Sequence, residues 1–114
     1  MRLITGEHCA TMFANDARYE TDPCVDPVPM VKIFNPMGAT TWFLCSLDRN
    51  DPDMACGLCD LGLITPEMGS VRIPEMESCE RPLGLRLDRD LYFRPSKILG
   101  QYAEEARAQG TVRA

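Results

Sequence analysis

The sequence predicts an α+β domain: an antiparallel sheet of about four to five strands with an N-terminal and a C-terminal helix packed on it. Three observations carry this. Apolar residues recur at helical spacing near both ends of the chain, in Cys9, Met12 and Phe13 and again in Leu99, Tyr102, Ala103 and Ala106. The middle holds short runs rich in β-branched and aromatic residues, separated by turn chemistry. The resulting order is helix, strands, helix, and 114 residues are enough for one such core, so residues 1–114 are expected to form a single domain.

Thr5 is placed to cap the first helix, and Asn15 and Asp16 are expected to end it. Residues 16–29, with Pro23, Pro27 and Pro29, then read as a long irregular connection. Met30–Phe34 and Thr40–Leu47 form a predicted β-hairpin across the turn chemistry of Asn35-Pro36-Met37-Gly38. Asp48–Asp53 is a polar turn. Met54–Leu63 is a third strand, apolar on both faces except for Asp60, which suggests a central position covered on each side. Gly69–Ile73 is a short fourth strand, and Pro74 opens a helical turn that runs to Ser78. Residues 80–89 read as a loop and Asp90–Arg94 as a last strand. Ser96 is expected to cap the final helix, Glu104 and Arg107 to pair on its outer face, and Gly110 to end it.

The formal net charge is −5, and Lys32 and Lys97 are the only lysines. An acidic protein is repelled by phosphate backbones, so direct nucleic-acid binding is disfavoured. The start of the chain lacks the apolar run of a signal peptide and no later segment has the length of a membrane span, so a cytoplasmic protein is expected. In that compartment the six cysteines are read as free thiols or ligands.

Cys56-Gly57-Leu58-Cys59 is the segment closest to an active-site signature. Zinc needs four ligands, usually two close pairs, and here His8, Cys9, Cys24, Cys45 and Cys79 are scattered around a single pair. Inside a strand, two intervening residues also send the thiols to opposite faces. A redox pair needs its first cysteine at a helix N-terminus after a strand, a context absent here. Buried small thiols are the favoured reading, with a cysteine-based metal or redox domain ranked last. His8, the only histidine, sits in the first turn of a helix and reads as a capping or exposed residue. With no phosphate loop, dinucleotide fingerprint or nucleophile elbow, neither an enzyme nor a cofactor is expected.

Charge placement is more informative. Asp48, Asp51, Asp53, Asp60, Glu67, Glu75, Glu77 and Glu80 are opposed within their segment only by Arg49 and Arg72. From Arg81 to Lys97 the sign reverses. The two segments either pair with each other inside the fold or steer the protein toward a charged partner. Asp60, in so apolar a strand, calls for a cationic partner, with Arg72 or Arg94 the candidates.

Pro29–Phe34, Thr41-Trp42, Asp51-Pro52-Asp53, Gly57–Leu63, Pro66–Gly69, Arg89–Phe93 and Tyr102-Ala103 occur here in one order. So arranged, the chain resembles the DUF2958 family of small uncharacterised bacterial proteins over nearly its whole length. Cys59 belongs to the family pattern, whereas Cys56 stands where that pattern usually has a large apolar residue. The resemblance implies one domain with no appended module, no catalytic residues to carry over, and residence on plasmids and integrative conjugative elements. That habitat suggests an anti-defence inhibitor, of anti-CRISPR or anti-restriction type, that docks on a host nucleic-acid-handling complex as a monomer or homodimer. Its contact would be the acidic residues Asp48, Asp51, Asp53, Asp60, Glu67, Glu75 and Glu77. The alternative is an accessory protein of conjugation or plasmid maintenance that binds an element-encoded partner.

Overall fold

The structure, a computed structural model of the chain, describes residues 3–22, 26–35, 40–60, 67–78 and 87–109. Several expectations lie outside these residues: most of the turn after Asn35, the strand end at Leu61–Leu63, Pro66, most of the 80–89 loop, Glu80, Arg81, Gly110, Cys24 and Cys79.

Helix α1 spans Gly6–Thr21. Thr5 caps it as expected, and does so reciprocally: Thr5 Oγ1 accepts the His8 N–H at 3.2 Å while His8 Nδ1 accepts the Thr5 N–H at 3.1 Å. The helix does not end at Asn15 and Asp16. Those side chains compete with helical hydrogen bonds only when free to bond the local backbone, and here both are engaged elsewhere. Asn15 is buried and its Nδ2 donates to the Cys45 carbonyl at 2.7 Å, and Asp16 holds Arg49. Helix α1 therefore runs on to Thr21, into the segment expected to be irregular, and the Asp22 N–H bonds the Arg18 carbonyl.

The sheet contains β1 (Val31–Phe34), β2 (Thr41–Asp48), β3 (Asp51–Asp60), β4 (Glu67–Arg72) and β5 (Asp88–Arg89). Their order is β4-β3-β2-β1-β5 and every pairing is antiparallel. The expected sheet with terminal helices is thus found. The middle strand is β2, and β3 is interior as expected, flanked by β4 and β2 with Ala55 and Leu58 facing opposite cores. Trp42, Leu44 and Leu47 join a core beneath α1 and the short helix α2 (Ile73–Ser78), together with Leu3, Ile4, Met12, Val31, Ile33, Ala55, Ile73 and Met76. Phe43 and Cys45 face the other side, where Leu58 meets the C-terminal helix.

A regular strand would place Leu47 on the same face as Phe43 and Cys45. A β-bulge between Leu44 and Ser46 inserts one residue and restores Leu47 to the first core. The expected Asp48–Asp53 turn shrinks to Arg49 and Asn50, because Asp48 Oδ1 accepts the Asn50 N–H at 2.8 Å and β3 begins at once.

The last strand lies earlier than expected, at Asp88–Arg89, where it pairs with Ile33 and Phe34. Asp90 turns the chain away: its Oδ1 accepts the Tyr92 N–H at 2.9 Å and its carbonyl accepts the Phe93 N–H at 3.3 Å. Helix α3 spans Leu99–Gln109, with Leu99, Tyr102, Ala103 and Ala106 buried as the stripe predicts. Ser96 is not its cap. The Leu99 N–H bonds the Pro27 carbonyl at 3.0 Å, and the Asp26 carboxylate accepts the Gly100 N–H at 2.9 and 3.1 Å. An acceptor brought from far back in the chain satisfies this helix start, and a carboxylate there also suits the helix dipole. On the outer face, Glu105 takes Lys97 Nζ at 2.6 Å, and that cation also sits 5.6 Å from the Tyr102 ring centroid.

Candidate functional site

The tight β2–β3 turn sets one end of the sheet. It carries Asp48 and places Asp51 and Asp53 in the first residues of β3. Arg49, at its tip, turns back on α1: its backbone N–H and Nε both reach Asp16 Oδ2 at 3.1 Å, and Nη2 pairs with Glu20. Glu20 and then Asp16 push the guanidinium pKa up, so the arginine stays charged. The end of β4 lies beside Met54, which lets Arg72 Nη2 reach Asp51 at 2.9 Å. Helix α2 follows directly and adds Glu75, exposed, and Glu77, whose Oε2 accepts the Leu3 N–H at 2.9 Å.

Asp53 and Glu77 rim a cleft of about 90 Å³ with Ile4, Cys9, Leu47, Pro52, Ile73 and Pro74. Sites for drug-sized ligands run to several hundred Å³, so this cleft suits a side chain more than a substrate. Five of the seven predicted contact residues, Asp48, Asp51, Asp53, Glu75 and Glu77, are therefore gathered at one end of the sheet. Asp16 and Glu20 join them. The sequence reading missed these two because it stopped the first helix too soon.

The remaining two lie elsewhere. Cys59 pairs with Glu67, whereas Met54 pairs with Arg72, so Glu67 and Asp60 sit at the opposite end of the β3–β4 ladder, roughly 17 Å away at the strand rise per residue. Glu67 is exposed, but Asp60 is only 1% exposed and offers nothing to a partner surface. Neither expected arginine serves Asp60 as foreseen. Arg72 is held by Asp51, and exposed Arg94 turns its guanidinium to the Phe93 carbonyl at 3.4 Å.

Cys56 and Cys59 lie on opposite faces of β3, as alternation requires. Cys59 packs against the core that contains Trp42, and Cys56 is exposed on the α3 side. Burial pushes both thiols up, which keeps them protonated and weakens them as metal ligands or nucleophiles.

His8 proves to be a capping residue. Burial first, then the Arg89 guanidinium, lower its pKa below the ordinary 6.5, against a smaller opposing effect of Glu7. The neutral ring is the form that accepts the Thr5 N–H. Because the unfolded chain takes up this proton more readily, the capping contribution is complete above pH 6.5 and is lost as pH falls below that value. His8→Gln keeps an acceptor at this position and does not titrate. Chemical denaturation at about pH 7.5 and about pH 5.0 is expected to show the wild type losing stability relative to this variant at the lower pH. Parallel pH profiles would remove His8 from the capping box.

A second surface was invisible to sequence reading. Leu91 and Tyr92, expected in a strand, project from the turn after β5 and are 63% and 84% exposed. Arg94 and Lys97 line the adjoining cleft with Phe93 and Tyr102. An exposed tyrosine among cations is a common anchor for a protein partner.

Among the described residues no helix is long and apolar enough to cross a membrane. No curated protein and no solved structure matches the chain. A family model, described as a protein of unknown function, matches residues 3–113. The match takes in the capped first helix, the whole sheet and the C-terminal helix, and on that extent the chain belongs to the DUF2958 family.

Proposed function

We propose that this chain is a non-enzymatic protein-binding module of a plasmid or integrative element. In this reading it is an anti-defence inhibitor that docks its acidic end on the nucleic-acid-binding surface of a host CRISPR or restriction complex. The observation that supports this most is the gathering of Asp16, Glu20, Asp48, Asp51, Asp53, Glu75 and Glu77 from separate segments around the β2–β3 turn, with Arg49 and Arg72 among them. Surfaces that bind phosphate backbones are rich in lysine and arginine. A rigid array of carboxylates complements them, speeds encounter and makes binding sensitive to salt.

Asp53 and Glu75 are the exposed positions to test. The double charge reversal Asp53→Lys with Glu75→Lys is expected to weaken a purified complex by roughly tenfold at low salt, mainly through slower association. Glu67→Lys, at the far end of the sheet, is expected to change little. Pull-down from a host with active CRISPR or restriction systems supplies the complex, and calorimetry supplies the affinity. Binding that ignores salt and the double reversal but is lost on Tyr92→Ala overturns acidic docking. That result favours the accessory-protein reading, with the Leu91-Tyr92 projection as the contact.

A further inference from the structure

The bulge in β2 brings two of the chain's cysteines together. Leu44 pairs with Gly57 and Ser46 with Cys56, so Cys45 is the extra residue and stands, with Ser46, across from Cys56. All three side chains share one face. Cys45 packs with Phe43 and Leu58 on the α3 side, Cys56 is two residues from Leu58 on the same strand, and Ser46 points away from Leu47, which faces the other core. The Cys45 thiol donates to the Cys56 carbonyl at 3.5 Å, and the Ser46 hydroxyl opposes the rise that burial imposes on both thiol pKa values.

Accessibility divides the pair. Cys56 is exposed and Cys45 is buried. Tyr19 Oη lies 3.8 Å from Cys45 Sγ, and Asn15 Nδ2 holds the Cys45 carbonyl, so two side chains of α1 bear on this one residue.

We propose that Cys45 and Cys56 are a thiol pair that closes to a cross-strand disulfide when the protein meets a disulfide oxidant such as oxidised glutathione. The exposed Cys56 thiolate attacks one sulfur of the oxidant, forms a mixed disulfide and releases one glutathione thiolate, which takes up a proton. Cys45 then loses its proton to water and attacks the Cys56 sulfur. The Cys45–Cys56 bond forms, the mixed disulfide breaks and a second glutathione leaves. The two protein thiols are oxidised and one glutathione disulfide is reduced to two thiols. The short lever from bulge to helix gives the bond a consequence: Cys45 Sγ must leave Tyr19 and the Cys56 carbonyl, which loosens the last turns of α1. Burial raises both thiol pKa values, so the exchange is slow near neutral pH and faster in mild alkali. This inference rests on the sheet geometry and stands whether or not the acidic end docks on a partner.

The test is incubation of the native chain with oxidised glutathione at mildly alkaline pH, followed by alkylation, intact mass and peptide mapping. The expected product has lost the mass of two hydrogens and carries a peptide linked through Cys45 and Cys56. Amide exchange is expected to rise in residues 15–21, and dithiothreitol to reverse both changes. Cys56→Ser, at an exposed position, is expected to abolish the loss of mass, and Cys59→Ser to leave it intact. A glutathione adduct that persists on Cys56 without internal closure overturns the proposal. So does a link through Cys9, Cys24, Cys59 or Cys79 in place of Cys45.

Discussion

Gly57→Ala is expected to cost about 3 kcal/mol or more, a large share of the roughly 5–15 kcal/mol by which domains this size are stable. A Cβ at this position would collide with the Phe43 carbonyl oxygen and lie 2.8 Å from the Leu44 Cα. Both are backbone atoms of the central strand, next to the bulge, so no side chain can rotate aside. Relief requires β2 and β3 to separate at this point. Gly6→Ala makes the contrast. Gly6 opens α1 with no atom within 4 Å of an added Cβ, and alanine there is expected to stabilise by about 0.5–1 kcal/mol by restricting the unfolded chain. Urea denaturation of the two variants checks the pair. If both shift the midpoint alike, the close approach at Gly57 is wrong.

This glycine marks how far sequence reading reached. In the sequence it stands between Cys56 and Cys59, in the segment closest to an active-site signature. In the fold it lies inside a straight strand, and its lack of a side chain serves contact between two backbones. A glycine within a strand pattern is a recognised sign of such an approach, so the signal was present and the cysteines outweighed it.

The sheet, the terminal helices and the buried stripe of α3 were legible because each depends on local periodicity. What failed depended on contacts distant in sequence. Asn15 and Asp16 read as a helix end until the sheet and Arg49 took up their side chains. Ser96 read as a cap until Asp26 supplied the acceptor. Asp90–Arg94 read as a strand because Leu91, Tyr92 and Phe93 form a short aromatic-rich run, but Asp90 bonds its own turn and sends Tyr92 into solvent. The acidic end was half legible: the run from Asp48 to Asp53 names it, but register alone separates Glu67 and Asp60 from it and adds Asp16 and Glu20.

The second large effect expected is at Phe43. Phe43→Ala should cost about 3–5 kcal/mol, with the loss concentrated where α3 meets the sheet. Phe43 is fully buried in the middle of β2. Its ring lies 5.2 Å from that of Phe93, and 5.0 Å from that of Tyr102 in an edge-on arrangement. Tyr102 in turn accepts the Ser96 N–H at 3.0 Å, so one ring supports both the helix and the segment that leads into it. Truncation leaves a cavity that Leu58, Leu99 and Ala103 are too constrained to fill. Phe43→Leu keeps most of the buried area but loses the ring contacts, and its cost is expected nearer 1–2 kcal/mol. A double-mutant cycle with Tyr102→Leu is expected to return a coupling of about 0.5–1.5 kcal/mol. Native-state amide exchange locates the damage. In Phe43→Leu, protection is expected to fall in α3 before it falls in α1, because α1 packs on the opposite face of the sheet around Met12. Equal loss in both helices would mean that the two faces unfold as one unit.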